Sequence, residues 1–535
     1  MRPLLAPQAT ETTASNSLPS SCSIFHRIKP LAALLCSAAA LACSAPPARQ
    51  GNAQAFRIAF EAAPAQFDPR YATDAYSTRV LELVCASLVR FGTDGMPRPY
   101  AADSWITDGL EVRFRLAPGL TFHDGSPVTA ADVAATYQAV LDPARASPHR
   151  AALRSVAAVR AADAQTVVFE LTQPDPTFFE AATLGLLPAR LAKRASTDAA
   201  SLIGSGPYRI ERVDRDGSVS LAAYPSFVRG RPRFPRIEIR VVPDALMRAL
   251  AFQRGSIDLL ENALDPDTLV YLSRRIPHTT VYSGPSSNAA YLGIRFDHWA
   301  LHDRRVRRAI ALAIDREAIV AHLLRGQARV ATGLLPPEHW AYTGRVRRYR
   351  HRPGRAAHLL DQAGLPDPDG PGPKPRITFS YKTTTQELPR RIAEAFAAQL
   401  GRVGIQLSIQ TYEWGTFYAD IRRGSFHLYS LEWVGIADPD LYRRIYHSQM
   451  VPPVGANRGR YRNRRMDRLT ERAAATPDQA ARKRLYARVQ RLAARSLPTI
   501  PLWWPDRIVV SSQQIPGFRP DPAGSLLAAV LEPAA

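Results

Sequence analysis

Cysteine is scarce: the 535 residues hold four, and their positions leave no pair for a structural disulfide. Cys22, Cys36 and Cys43 fall in or beside an N-terminal export pattern. Cys85 is left alone in the apolar run Leu81-Glu82-Leu83-Val84-Cys85-Ala86, the setting of a buried, inert thiol. There is no Gly-x-Ser-x-Gly elbow, no Cys-x-x-Cys pair and no Gly-Lys-Ser/Thr phosphate loop, so the signatures of common enzyme classes are missing. Gly204-Ser205-Gly206-Pro207 is like a phosphate cradle only on its surface: Pro207 has no N–H and no Lys follows, so a rigid turn is expected. His298 and His302 could share a metal from one helical turn, but they directly precede a helix cap and enclose Trp299, so a loop is expected instead. Trp503-Trp504, set between Pro501 and Pro505, reads as packing rather than a stacking platform. No internal repeat and no coiled-coil heptad is present.

What is there points to a globular chain of two or three domains, with 46% apolar and 22% charged residues. The formal charge of +22 comes mostly from Arg, spread along the chain with Asp and Glu interspersed, and this dispersal argues against nucleic-acid binding. His26-Arg27-Ile28-Lys29 supplies a basic n-region and Leu31 to Leu41 an apolar stretch too short to span a bilayer. The small residues Ala38 to Ala42 form a cleavage zone. Residues 1–42 therefore read as a signal peptide and the mature chain as extracytoplasmic. Ala40-Leu41-Ala42-Cys43-Ser44 resembles a bacterial lipoprotein box, with Cys43 as the acylated first residue and 43–54 as a linker; the alternative is plain cleavage after an Ala-x-Ala triplet.

Beyond the linker, strand and helix patterns alternate, which predicts an α/β protein. Val112, Phe114 and Leu116 alternate with arginines before the turn Pro118-Gly119. Thr129 with Asp132 three residues on has capping-box spacing for a helix with Val133, Tyr137, Val140 and Leu141 on its apolar face. Asp303 precedes a helix that stripes Val306, Ile310, Ala313 and Ile314 on one side and turns Arg304, Arg305 and Arg308 to water. Helices are predicted over Arg391 to Leu400 and Arg482 to Arg495, and strands over Gln406 to Gln410 and Ile508 to Val510. The Pro/Gly-rich stretch Leu365 to Pro375 reads as a surface loop.

Several long matches occur in a fixed order. Phe67-Asp68-Pro69 is followed by Gly92-Thr93-Asp94-Gly95-Met96-Pro97, and then by the run from Phe114 through Phe122-His123-Asp124-Gly125 to Val133. Next come Gly204-Ser205-Gly206-Pro207-Tyr208, Gly255-Ser256-Ile257-Asp258, Arg305-Val306-Arg307-Arg308-Ala309 and Gly424-Ser425-Phe426-His427-Leu428 before Trp433. This block resembles the family 5 extracellular solute-binding proteins, the dipeptide, oligopeptide and nickel binders of ABC importers, over nearly the whole mature chain. The resemblance implies a type II periplasmic-binding-protein fold (cluster C) of two lobes with a hinge and an extra third domain. One lobe is expected from 55–92 with 201–283 and 495–535, the extra domain from 93–200, and the second lobe from 284–494. It further implies a monomer that closes on a small-molecule or short-peptide ligand and docks on ABC permease subunits in the inner membrane, with no cofactor and no catalysis; the anchor at Cys43 would hold it to a membrane of the cell envelope, inner or outer.

In peptide-binding members an Asp three residues after the Trp matched by Trp433 pairs with the ligand amino group, and here that position is Ile436. A buried ammonium needs an anion, so Glu432, Asp438 and Asp74 are the candidate replacements. Asp74, Ala75 and Tyr76 lie where members pair with the ligand backbone, Trp414 and Trp433 match pocket-lining tryptophans, and Arg422 neighbours Ile421, which replaces a cleft Arg. A ligand other than a peptide (metal chelate, haem, sugar or modified amino compound) and a sensor lipoprotein on the same fold are the competing readings.

Overall fold

The computed structural model describes residues 55–533 apart from 263, 277, 278 and 371. The signal sequence, Cys43 and the whole linker lie outside the described residues. An eight-stranded sheet runs in the order Thr280–Pro285, Trp503–Ser511, Leu259–Glu261, Phe56–Phe60, Arg236–Val241, Val219–Ala223 and Tyr208–Val213, with Ala328–Val330 joining the long strand Trp503–Ser511 at one end. Phe56–Phe60 pairs in parallel with both its neighbours, and its Phe56, Ile58, Ala59 and Phe60 are buried, as a strand covered on both faces requires.

A second sheet of five strands follows the order Ile405–Tyr412, Ile377–Thr384, Leu428–Trp433, Ala289–Ile294 and Thr499–Pro501. Its core is built from residues between Ala289 and Trp504, separate from the core beneath the first sheet. Apart from the short excursion of Ala328–Val330, the chain passes between the two sheets twice: from Thr280–Pro285 to Ala289–Ile294, and from Thr499–Pro501 to Trp503–Ser511. Ser286 Oγ donates to the Pro505 carbonyl and Ser287 Oγ to that of Pro522, so the first passage is tied to the second and to the C-terminal segment. A four-stranded antiparallel sheet, Ala102–Asp108, Glu111–Leu116, Thr166–Leu171 and Val156–Ala161, shares the first core.

Local chemistry accounts for the element ends. Thr129 N donates to the Asp132 carboxylate at 2.9 Å at the start of Ala130–Leu141, and Asp303 accepts from Arg305 N at 2.7 Å at the start of Arg304–Ala313. Gly204 and Gly206 pass against the end of helix Ala75–Val84 so closely that a Cβ on Gly204 would lie 1.9 Å from the Val84 carbonyl oxygen, and Gly206 N donates to that same oxygen. The segment is a turn shaped by this contact.

One expectation is corrected by the structure. The stretch after His298 is a short helix, Trp299–His302, capped by His298 accepting from Ala300 N, rather than a loop. On helix Arg304–Ala313, Arg304 and Arg305 are exposed and Arg308 is half-buried, while Arg307 is buried and donates to the carbonyls of Leu301, His302 and Ser496.

Candidate functional site

The strand Phe56–Phe60 ends beside helix Ala75–Val84, and the carboxyl edge of a parallel sheet is where such folds offer groups to a ligand. Asp74 caps this helix, accepting from Ser77 N at 2.8 Å, so one carboxylate oxygen is engaged by the helix end. Ala75 is exposed on the first turn. Tyr76 packs its ring on Phe60 at 5.3 Å and donates to Glu61 Oε2 at 3.3 Å. Burial and the Glu61 charge hold the phenol above its ordinary pKa.

The opposing wall is the end of strand Leu428–Trp433, which pairs antiparallel with Ala289–Ile294. Trp433 stacks on Tyr291 with centroids 5.4 Å apart and planes 9° from parallel, and the Arg458 guanidinium lies 4.7 Å above its ring. Arg458 also donates to Tyr291 Oη at 2.7 Å and to Tyr418 Oη at 3.3 Å. Trp414, 56% exposed at the start of helix Trp414–Arg423, stacks on Tyr418 one turn later at 5.5 Å. Tyr418 and Arg458 thus join the two tryptophans into one aromatic wall. Arg422, one further turn along the same stripe, lines a cavity with Arg295, Arg423, Arg458 and Arg460.

The three candidate acids fare differently. Ile436 is 3% exposed within the second core and donates its N–H to the Ser287 carbonyl, so the position that carries an acid in peptide-binding members points inward here. Asp438 binds both terminal nitrogens of Arg482, at 2.9 and 2.7 Å, and accepts from Asp440 N. Its charge is already matched. Glu432 is reached by solvent and has no ion pair among the described residues. Enclosure by surrounding protein raises its pKa, while Arg507 and a hydrogen bond from Asn288 pull it back down.

Reading the sequence missed the ionic ladder beneath this acid. Arg507 is buried in strand Trp503–Ser511 and meets Glu261 Oε1 at 3.3 Å, while Arg79 meets Glu261 Oε2 at 3.3 Å. Glu82 lies near the same acids, and burial pushes it up to about 7. An arginine followed by the apolar run Ile508 to Val510 was the one signal available for this ladder. Beside it, a cavity of about 80 Å³ runs along the seam between lobes, lined by Thr93, Ser287, His339, Ile436 and Pro522. Burial depresses His339 to about 4, and its Nε2 lies 3.0 Å from the Ala437 carbonyl. Among the described residues no group of three or more His, Cys, Asp or Glu side chains could hold a metal ion. Cys85 is buried, and burial pushes its thiol pKa up.

The profile of the bacterial extracellular solute-binding proteins, family 5 middle region, matches residues 96–449. A probable di/tripeptide-binding protein 5 of Pseudomonas aeruginosa is 28% identical over 89% of this chain and 95% of its own length. A di/tripeptide-binding protein 2 of the same organism is 27% identical over 92% of this chain and 98% of its own. The crystal structure of NikA from Brucella suis in complex with Fe(III)-EDTA superposes with a TM-score of 0.80 at 22% identity, covering 90% of this chain and all of NikA. That likeness establishes the shared two-lobed, type II periplasmic-binding-protein architecture.

Proposed function

The chain belongs to the bacterial extracellular solute-binding proteins of family 5, and from that premise we propose that it is the extracytoplasmic substrate-binding component of an ABC importer, closing its lobes on a peptide or peptide-like ligand and delivering it to the permease. The observation that carries the ligand assignment is Glu432. It is an exposed carboxylate without an ion pair among the described residues, next to the Trp433 platform, and its neighbours Asn288 and Arg507 come from the seam and from the first lobe. Such a group is matched by a ligand ammonium, which would be desolvated with it when the lobes close. Glu432 takes the role that Ile436 cannot, Trp433 and Trp414 pack the ligand, and Asp74, Ala75 and Tyr76 face it from the first lobe. Asp438, already paired with Arg482, braces the wall from behind, and Arg422 stands at its far end. The mature chain is held to the membrane through Cys43 and binds without catalysing. We assign 55–92 with 201–283 and 495–535 to the first lobe, 93–200 beside it and 284–494 to the second; Thr499–Pro501, which pairs in the second sheet, favours moving the later boundary to the passage before Trp503.

The test is native mass spectrometry of the mature domain, followed by calorimetry with a library of short peptides. A ladder of co-purified peptides supports the reading. Glu432→Gln should weaken free-amine peptides by roughly 10-fold or more and leave N-acetylated ones unaffected, since a hydrogen bond to a charged group is worth about 1.5–3 kcal/mol once a bound ligand and the closed lobes exclude water from it. One observation favours a second reading, a specialised non-peptide ligand: Ile436 is part of the core and not of the wall. A single non-peptide mass in the cleft, with no stabilisation by peptides, would establish that alternative.

A further inference from the structure

Arg458 carries the observation that the ligand assignment leaves unexplained. Its guanidinium is wedged between Trp433 and Tyr418, at 4.7 and 5.3 Å from the ring centroids, and hydroxyls are its hydrogen-bond partners. Among the described residues no carboxylate pairs with it, and none pairs with Arg422. Both line a cavity of about 420 Å³ together with Arg295, Arg423, Arg460 and the loop Val451 to Pro453.

The balance of charge in that cavity is one-sided. Asp297 serves Arg295 and Arg460, at 2.6 and 3.4 Å. Asp420 serves Arg423 and is shared with Lys382. Five guanidiniums therefore converge on a space whose two carboxylates are both divided between cations. Arg295 and Arg460 are close enough that Arg460 helps to depress the Arg295 pKa, which burial lowers first. Arg295 Nη1 is also buried without an acceptor, in the space that a Cβ on Gly424 would fill. Arg422 and Arg423 lie in the last turn of helix Trp414–Arg423, where cations offset the helix dipole. The other three come from outside that helix, Arg295 from the end of strand Ala289–Ile294 and Arg458 and Arg460 from one loop, so the dipole does not account for them. Gathering like charges in a partly enclosed space is unfavourable unless an anion neutralises them, and planar guanidiniums suit tetrahedral or planar oxyanions in particular.

We infer that this arginine-lined cavity, which shares Arg458 with the aromatic wall, is a binding site for a multiply charged oxyanion of the phosphate or polycarboxylate class. The inference stands on the cavity alone and does not need the peptide assignment.

The probe is pyrophosphate, titrated calorimetrically into the mature chain at low ionic strength, with the double variant Arg423→Gln/Arg460→Gln alongside. The expected result is binding that weakens as salt is added and falls at least 10-fold in the double variant, while circular dichroism gives the same melting curve for both proteins. Absence of heat, or equal affinity in both proteins, would overturn the site. Should the double variant melt differently, Arg460→Lys keeps the charge but loses the fork: a loss of affinity there supports the site, and unchanged affinity counts against it. Comparing phosphorylated with unmodified peptides identifies the source of the anion. Tighter phosphopeptide binding, abolished in the double variant, means that the ligand brings the oxyanion and ties the site to the peptide reading. Equal peptide affinities with intact pyrophosphate binding mean that a free ion fills the site. If pyrophosphate binds and no peptide does, the peptide reading fails and the anion site stands.

Discussion

Glu82 lies on helix Ala75–Val84 with one carboxylate oxygen buried and without a hydrogen-bond partner. Burial is the main cause of its raised pKa of about 7, with Asp521 and Glu261 adding to the rise and Ser525 and Arg79 opposing it. A carboxyl raised on folding stabilises the native state fully while it is protonated in both states, below its unfolded value of about 4.3, and that contribution is lost as pH rises through 7. Glu82→Gln keeps the shape and removes the titration. Denaturant unfolding should therefore show the variant and the parent about equal at pH 4 and the variant more stable at pH 8, by up to about 3 kcal/mol at roughly 1.4 kcal/mol per pKa unit. Glu432 titrates with the same sign but is read through binding. Its carboxylate must be ionised to hold an ammonium, and its pKa is raised. Affinity for a free-amine peptide should thus decline as pH falls through that raised value, at higher pH than an ordinary surface carboxylate would give. In Glu432→Gln the same calorimetric series from pH 8 to pH 4.5 should be flat.

At the scale of elements, the passage of Gly204 to Gly206 across the end of helix Ala75–Val84 joins the strand Tyr208–Val213 to the first core. Gly204→Ala places a methyl group 1.9 Å from the Val84 carbonyl oxygen, a backbone atom that cannot rotate away. A loss of about 1–3 kcal/mol, the range of overpacked sites, should appear in thermal or denaturant unfolding. The rigid turn was legible in the sequence from Pro207, but the helix it presses on was not. The same division holds elsewhere. Alternation over Val112 to Leu116 and capping spacing at Thr129 and Asp303 announced a strand and two helices, because those signals depend on neighbours in the chain. Arg307, Arg316 and Arg507 are all buried, which for the first two no local pattern in the sequence indicates. Arg307 and Arg316 are held by carbonyls, among them those of Ser496 and Pro501, which lie far along the chain. At the candidate site, family resemblance is what pointed to the two tryptophans and to the stretch Asp74 to Tyr76. Arg458, which links the tryptophans, sits in a loop whose position is fixed by tertiary contacts alone.

For the whole molecule, the distribution of charge bears on closure. Residues 284–494 contain 36 Lys and Arg against 18 Asp and Glu, so +18 of the chain's +22 lies in this segment. Closing brings this basic body against a first lobe that is itself slightly basic, and pairs formed across the seam oppose the repulsion. Asp267, on helix Pro266–Arg275 of the first lobe, accepts from Arg325 at 2.6 Å and from Arg391 at 3.1 Å in the second. All three side chains are about 40% exposed, so screening by water keeps the pairs weak, at about 0.2–1 kcal/mol together. If opening the lobes breaks these pairs, they act on ligand affinity through the closing equilibrium and not by touching the ligand. Asp267→Asn should accordingly weaken ligand binding by roughly 1.5- to 5-fold at low ionic strength, mostly through faster release, with the melting temperature of the ligand-free protein nearly unchanged. Because the lost pairs are exposed, the difference between variant and parent should shrink toward zero at about 0.5 M salt, where charges are screened over a few ångströms. Stopped-flow release measured at both salt concentrations separates this behaviour from damage to the cleft, which would persist at high salt.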